Sequence, residues 1–120
     1  MKKITKRQIK FCFDIDGVIC STSKNNYLRS KPKIKVINMI NRLYEKNYII
    51  LFTARYMGRN NENSQKAKKQ GYKKTFNQLS KWGLKFHKLK FGKPSYDVFV
   101  DDKNFSYKKD WVKDFKKKFL

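Results

Sequence analysis

The chain has 120 residues, 39% of them hydrophobic, with ten Phe, seven Tyr and two Trp. That apolar content suffices for one compact domain and excludes wholesale disorder, and no apolar stretch approaches the roughly 20 residues of a membrane span. Lys and Arg number 31 against nine Asp and Glu, a net charge of +22 that admits nucleic acid, an anionic surface or phosphorylated substrates as partners.

Residues 1–10 read as a basic arm with no apolar signal core behind it, so a cytoplasmic protein is expected. Residues 11–14 read as a strand, apolar and bounded by Gly17. The Ser, Thr, Asn and Lys of 18–31 read as a loop or small hairpin. Ser30 is placed to cap a helix beginning near Pro32. Val36, Ile37, Ile40, Leu43 and Tyr44 then recur at steps of three and four, one apolar face of a helix ending near Asn47.

Tyr48-Ile49-Ile50-Leu51-Phe52-Thr53 is a continuous apolar run, the pattern of a strand buried on both faces. Residues 56–70 are polar and read as a loop and the start of a helix. Tyr72, Phe76, Leu79 and Trp82 continue at helical spacing up to Gly83, a face for the core in preference to a base-stacking platform. Leu84, Phe86 and Leu89 mark a third strand, and Gly92-Lys93-Pro94 a break. Tyr96–Val100 reads as a fourth strand running into Asp101 and Asp102. Trp111, Val112, Phe115 and Phe119 mark a last amphipathic helix. Strands alternating with helices predict a mostly parallel sheet with helices on both faces, one domain over 1–120.

Two cysteines, Cys12 and Cys20, are too few for a disulfide framework and read as buried residues or free thiols. Lysine outnumbers arginine 26 to 5, which points to compositional drift more than to selection for bidentate phosphate contacts. The acids are scarcer and more telling. Four of the nine fall in two close pairs, each ending an apolar run.

Open parallel sheets bind ligands at the carboxyl ends of their strands. Those ends carry Asp14 and Asp16, then Thr53 and Arg55, then Lys93, then Asp101 and Asp102. The set suits phosphoryl transfer. Carboxylates hold a hard cation such as Mg²⁺, while Lys93 and Arg55 offset phosphate charge. One carboxylate can attack phosphorus and another can shuttle the proton. His87, the sole histidine, lies in a predicted strand and reads as structural. Tyr27, Tyr56 and Arg59 fall where they would line an open pocket, though nothing in the sequence requires it.

Phe13-Asp14-Ile15-Asp16-Gly17-Val18, Phe52-Thr53, Gly92-Lys93-Pro94 and Val98-Phe99-Val100-Asp101-Asp102 occur in the order of the four motifs of the haloacid dehalogenase superfamily, which the chain resembles. The receiver domain of bacterial signalling has similar parts, but its acidic pair comes before its Thr and Lys.

The resemblance implies a Rossmann-like three-layer sandwich and a Mg²⁺ cofactor. By it, Asp14 is nucleophile and metal ligand, and Asp16 is general acid/base with its backbone carbonyl on the metal. Thr53 and Lys93 hold the phosphoryl group, Arg55 meets the substrate, and Asp102 ligates the metal with Asp101 beside it. The stretches 18–31 and 56–83 are too short for the cap domain many members carry, so an open site is expected, compatible with an oligomer. Short capsule or surface-polysaccharide biosynthesis phosphatases look similar over the same stretches. The implied activity is Mg²⁺-dependent phosphomonoester hydrolysis of a small molecule such as a sugar phosphate. A nucleic-acid 3′-end phosphatase and an idle nucleic-acid-binding domain are the alternatives.

Overall fold

A computed structural model of the chain describes residues 8–120, so residues 1–7 of the expected basic arm lie outside the described part. Strand β1 covers Lys10–Phe13. A two-stranded antiparallel ribbon follows, β2 (Cys20–Ser21) and β3 (Lys31–Pro32). Then come helix α1 (Ile34–Tyr44), β4 (Tyr48–Thr53), helix α2 (Ser64–Lys81), β5 (Lys88–Phe91) and helix α3 (Trp111–Phe119). Single turns of 3-10 helix lie at Tyr27–Arg29 and Gly58–Asn60. No helix among the described residues is long and apolar enough to cross a membrane.

The main sheet is parallel, in the order β1-β4-β5. Its register pairs Phe11 with Ile49, Phe13 with Leu51, Leu51 with Leu89 and Thr53 with Phe91. Residues paired in this way share one face of the sheet, and on this face all of them are buried. The core forms against that face. It takes Val36, Ile37, Ile40 and Leu43 from α1, Ala67 and Leu79 from α2, and Trp111 and Phe115 from α3. The other face carries Lys10, Cys12, Tyr48, Ile50, Phe52, Lys88 and Lys90, and none of these joins the core.

Helices on both faces are therefore not what forms among the described residues. Strands are added in one direction only, β1 to β4 to β5. Right-handed crossovers then put α1 and α2 on the same face. A helix on the far face would need the chain to return past β1 with a further strand. The expected fourth strand, Tyr96–Val100, does not form; Val98 and Val100 are 79% and 90% exposed. Tyr96 and Phe99 instead pack on each other with centroids 5.1 Å apart, and both rings lie over the ammonium of Lys93. Residues three apart in a pleated strand point to opposite faces, so two rings turned to one partner require a bent backbone.

Smaller corrections follow the same logic. Pro32 sits in β3, held opposite Cys20, so α1 begins two residues later with Lys33 in the cap position. Ser30 bonds Thr22 through its side chain, follows the 3-10 turn Tyr27–Arg29 and does not cap α1. The buried ridge of α2 is Ala67, Gly71, Thr75 and Leu79, leaving Phe76 40% exposed at the edge of the expected aromatic face. Of the two free thiols, Cys20 is buried and Cys12 exposed.

Candidate active site

Three neighbouring parallel strands end on one rim, and each delivers part of the site. Beyond β1 the chain turns through Asp14, Ile15 and Asp16, with Ile15 fully buried as an anchor between the two acids. Beyond β4 come Ala54 and Arg55. Beyond β5, Gly92 adopts φ 104°, a conformation natural to glycine. The turn brings the Lys93 N–H to the carbonyl of Thr53 at 3.1 Å.

That bond aims the Lys93 side chain at Asp14. Its Nζ donates to Asp14 Oδ2 at 3.0 Å, across 79 residues of sequence. Burial lowers the affinity of Lys93 for its proton. Hydrogen bonds to Tyr96 and Asp14, with the carboxylate charge, outweigh this and leave its pKa above the ordinary lysine value.

A second pair stands beside the first. Arg55, fully buried, grips Asp16 with two parallel hydrogen bonds of 2.9 Å, Nε to Oδ2 and Nη2 to Oδ1. The fork geometry matches a carboxylate and is stronger than a single contact. Nη1 of Arg55 donates to Gln78 Oε1 at 2.7 Å and to Thr75 at 3.5 Å, both on α2. Asp16 Oδ1 also accepts from the Thr22 hydroxyl and the Cys20 thiol. Burial pushes that thiol above its ordinary pKa, so it serves as a neutral donor.

The expected residues thus divide. Asp14 meets Lys93 and Asp16 meets Arg55 in direct contact. Arg55 spends its guanidinium on Asp16 and α2 and so positions that acid. Thr53 is fully buried, with its Oγ1 accepting from the Arg55 N–H at 3.0 Å. Asp101 and Asp102 are exposed in a turn, and Asp101 Oδ1 accepts from the Lys103 N–H. No strand leads into them, though the charge of Asp101 acts on the Cys12 thiol of β1 together with that of Asp14, and among the described residues no group of three His, Cys, Asp or Glu is placed to hold a metal ion. His87 lies away from the rim, between the rings of Tyr44 and Tyr48, its Nδ1 accepting from the Ile49 N–H.

A hard divalent cation needs oxygen donors, and the rim offers those of Asp14. Each of its oxygens accepts one hydrogen bond, from Ile15 N–H or from Lys93, and keeps a second acceptor direction. The side chain is 34% exposed. Asp16 Oδ1 accepts three hydrogen bonds and its Oδ2 faces Arg55 Nε, so the ligand the resemblance implies from Asp16, its backbone carbonyl, is a separate group from the clamped carboxylate. This donor set fits a cation held by one carboxylate together with phosphate and water, a common arrangement for Mg²⁺.

Thr22, Thr75 and Gln78 are the contributors that sequence reasoning missed. Thr75 and Gln78 share a helix face three residues apart, a spacing visible in the sequence without any sign of its target. The acids open onto a pocket of about 330 Å³ lined also by Lys24, Tyr27, Arg59 and Ser95.

No family model matches the chain, and no curated protein matches it. Among solved structures it is similar to the crystal structure of an MCSG target from Vibrio cholerae. The TM-score is 0.75 at 20% identity, covering 91% of this chain and 97% of that one. At that identity the likeness shows the fold alone.

Proposed function

We propose that the protein is a Mg²⁺-dependent phosphomonoester hydrolase of the haloacid dehalogenase type that works through an aspartyl-phosphate on Asp14. The observation that carries this reading is the contact between Asp14 and Lys93, a part-exposed carboxylate with a buried ammonium beside it at a strand-end rim. A nucleophile facing a phosphoryl group needs adjacent positive charge to offset the developing anion, and Lys93 supplies it.

In the first step an oxygen of Asp14 bonds to phosphorus as the bond to the leaving oxygen breaks, and the leaving oxygen takes a proton from Asp16, which for this step must carry the proton on an oxygen turned away from the Arg55 fork. In the second, water attacks phosphorus, Asp16 takes a proton from that water, and the bond to Asp14 breaks. The Arg55 fork holds Asp16 as an acceptor, the role it has in the second step. Mg²⁺, held by Asp14 with the substrate phosphate, would supply further charge neutralisation at the phosphoryl oxygens. Thr53 contributes by fixing the Arg55 backbone and, through its carbonyl, that of Lys93.

The test is a broad phosphoester panel with Mg²⁺, run beside Asp14→Asn. Hydrolysis that falls at least about a thousandfold in the variant supports the reading. Failure on every ester, or activity that survives in Asp14→Asn, removes it. The net charge of +22 favours a second reading, a nucleic-acid end phosphatase. Steeply salt-dependent binding and preference for an oligonucleotide 3′-phosphate would promote it.

A further inference from the structure

The pocket beside Asp14 holds more positive charge than its own acids use. Its two carboxylates, Asp14 and Asp16, are each paired already, with Lys93 and Arg55. Arg59 and Lys24 also line it, both exposed, and neither forms an ion pair; the third ion pair among the described residues is Lys108–Asp114, elsewhere. In a chain so rich in lysine, one exposed Lys signifies little. Arginine is different: two of its five, Arg55 and Arg59, line this one pocket, which composition alone does not account for.

Arg59 is also held in place. Its guanidinium carbon lies 4.8 Å from the ring centre of Tyr56 and 5.5 Å from that of Tyr27. One Nη makes a long bond of 3.4 Å to the Asn25 carbonyl, which leaves other N–H groups of the fork for a ligand. The two loops that carry these residues hold every non-glycine positive φ among the described residues: Lys24, Asn25, Tyr56, Asn61 and Glu62. Such conformations cost free energy and persist where the surroundings impose them. Glu62, the nearest acid in sequence, accepts from the Ser95 N–H.

We infer that the pocket recognises a small phosphomonoester bearing a second anionic group, phosphate or carboxylate. The ester faces Asp14, and Arg59 receives the second anion with Lys24 adding charge. The volume, about 330 Å³, lies at the small-molecule end of binding sites. This rests on the hydrolase reading for the role of Asp14 and on the pocket itself for recognition.

The test is calorimetric titration of the full-length Asp14→Asn protein, which does not consume the probe, with MgCl₂ at fixed ionic strength. Fructose 1,6-bisphosphate is expected to bind about tenfold or more tighter than fructose 6-phosphate. Arg59→Gln should abolish most of that ratio and Arg59→Lys restore part of it. Lys117→Gln, the same charge loss at an exposed position of α3, should leave the ratio intact. Lys24→Gln provides a second arm, with a loss of about threefold, should the tyrosine stack matter for folding. Equal affinity for the two probes overturns the inference. So do equal effects of Arg59→Gln and Lys117→Gln, the absence of binding, or tighter binding of a 3′-phosphorylated oligonucleotide. A preference for the bisphosphate that depends on Arg59, in a wild-type protein that hydrolyses nothing, would leave recognition standing and remove only the catalytic role of Asp14.

Discussion

Arg55 is the residue on which the rim depends most. It is buried, and four side chains around it, Asp16, Gln78, Thr75 and Cys20, are hydrogen-bonded to it. Arg55→Met would keep the volume and leave Asp16 without its cation. Breaking a fully buried pair costs roughly 3–5 kcal/mol, but the Asp16 side chain is 26% exposed, so we expect about 2–3 kcal/mol in urea unfolding. A change below about 0.5 kcal/mol would show that water replaces the guanidinium at little cost. Lys93 gives a pH signature. Its folded pKa is raised above its ordinary value of 10.5. The bound proton therefore stabilises the fold fully below pH 10.5, and that contribution is lost as pH rises through the folded pKa. Wild type should thus keep its stability advantage over Lys93→Met from about pH 9 to 10.5 and lose it as pH rises above 10.5, measured by paired urea midpoints across that range. An advantage constant across that range would mean that the ammonium contributes nothing specific.

At the level of elements, α2 shows how a local rule is overturned by packing. Glycine in a helix interior is ordinarily poorer than alanine by about 0.5–1 kcal/mol. Gly71, however, faces the ring of Tyr56, and a Cβ there would fall 2.2 Å from two ring carbons. Gly71→Ala should therefore destabilise by about 1–3 kcal/mol, the cost of overpacking, and thermal unfolding gives the sign directly. A raised melting temperature would mean that the Tyr56 ring moves away freely. The same residue explains part of what the sequence concealed. The helix runs through Gly71 because the glycine admits Tyr56, a contact that nothing in the polar stretch around it announces. β1, β4, α1 and α3 were legible because each is an apolar run or a stripe at one period, and those patterns record burial directly. The meeting of Asp14 with Lys93 was legible as far as both ending strands of one parallel sheet. The clamp on Asp16 was not, since Thr22 and Gln78 look like surface polar residues until the fold brings Thr22 to Asp16 and Gln78 to Arg55. Tyr96–Val100 has the composition of a strand, but strand formation needs a partner edge, and its rings are engaged over Lys93. Composition carries no record of that competition.

For the whole molecule the dominant quantity is charge. Nine acids face 31 basic residues, and among the described residues three ion pairs form. Two of these lie at the rim, partly buried, where salt screens weakly. The third, Lys108–Asp114, is exposed on both sides and worth little. Most of the lysines thus repel one another across a body about 56 × 29 × 24 Å, where many neighbouring charges lie within about 10 Å, the screening length at 0.1 M salt. Folding concentrates this charge and unfolding relieves it, so added salt should stabilise the protein, the reverse of the effect on a fold held by surface ion pairs. Raising NaCl from about 20 mM to about 300 mM should increase the unfolding free energy by on the order of 1 kcal/mol, read from urea midpoints. Sodium sulfate and sodium chloride at matched ionic strength separate screening from anion binding. Equal gains mark screening of the lysine surface. A larger gain in sulfate, removed by Arg59→Gln, would mark occupation of the rim pocket by an anion. A fall in stability with salt would show that the rim pairs outweigh the repulsion of the surface, and the charge would then have to be read as locally compensated.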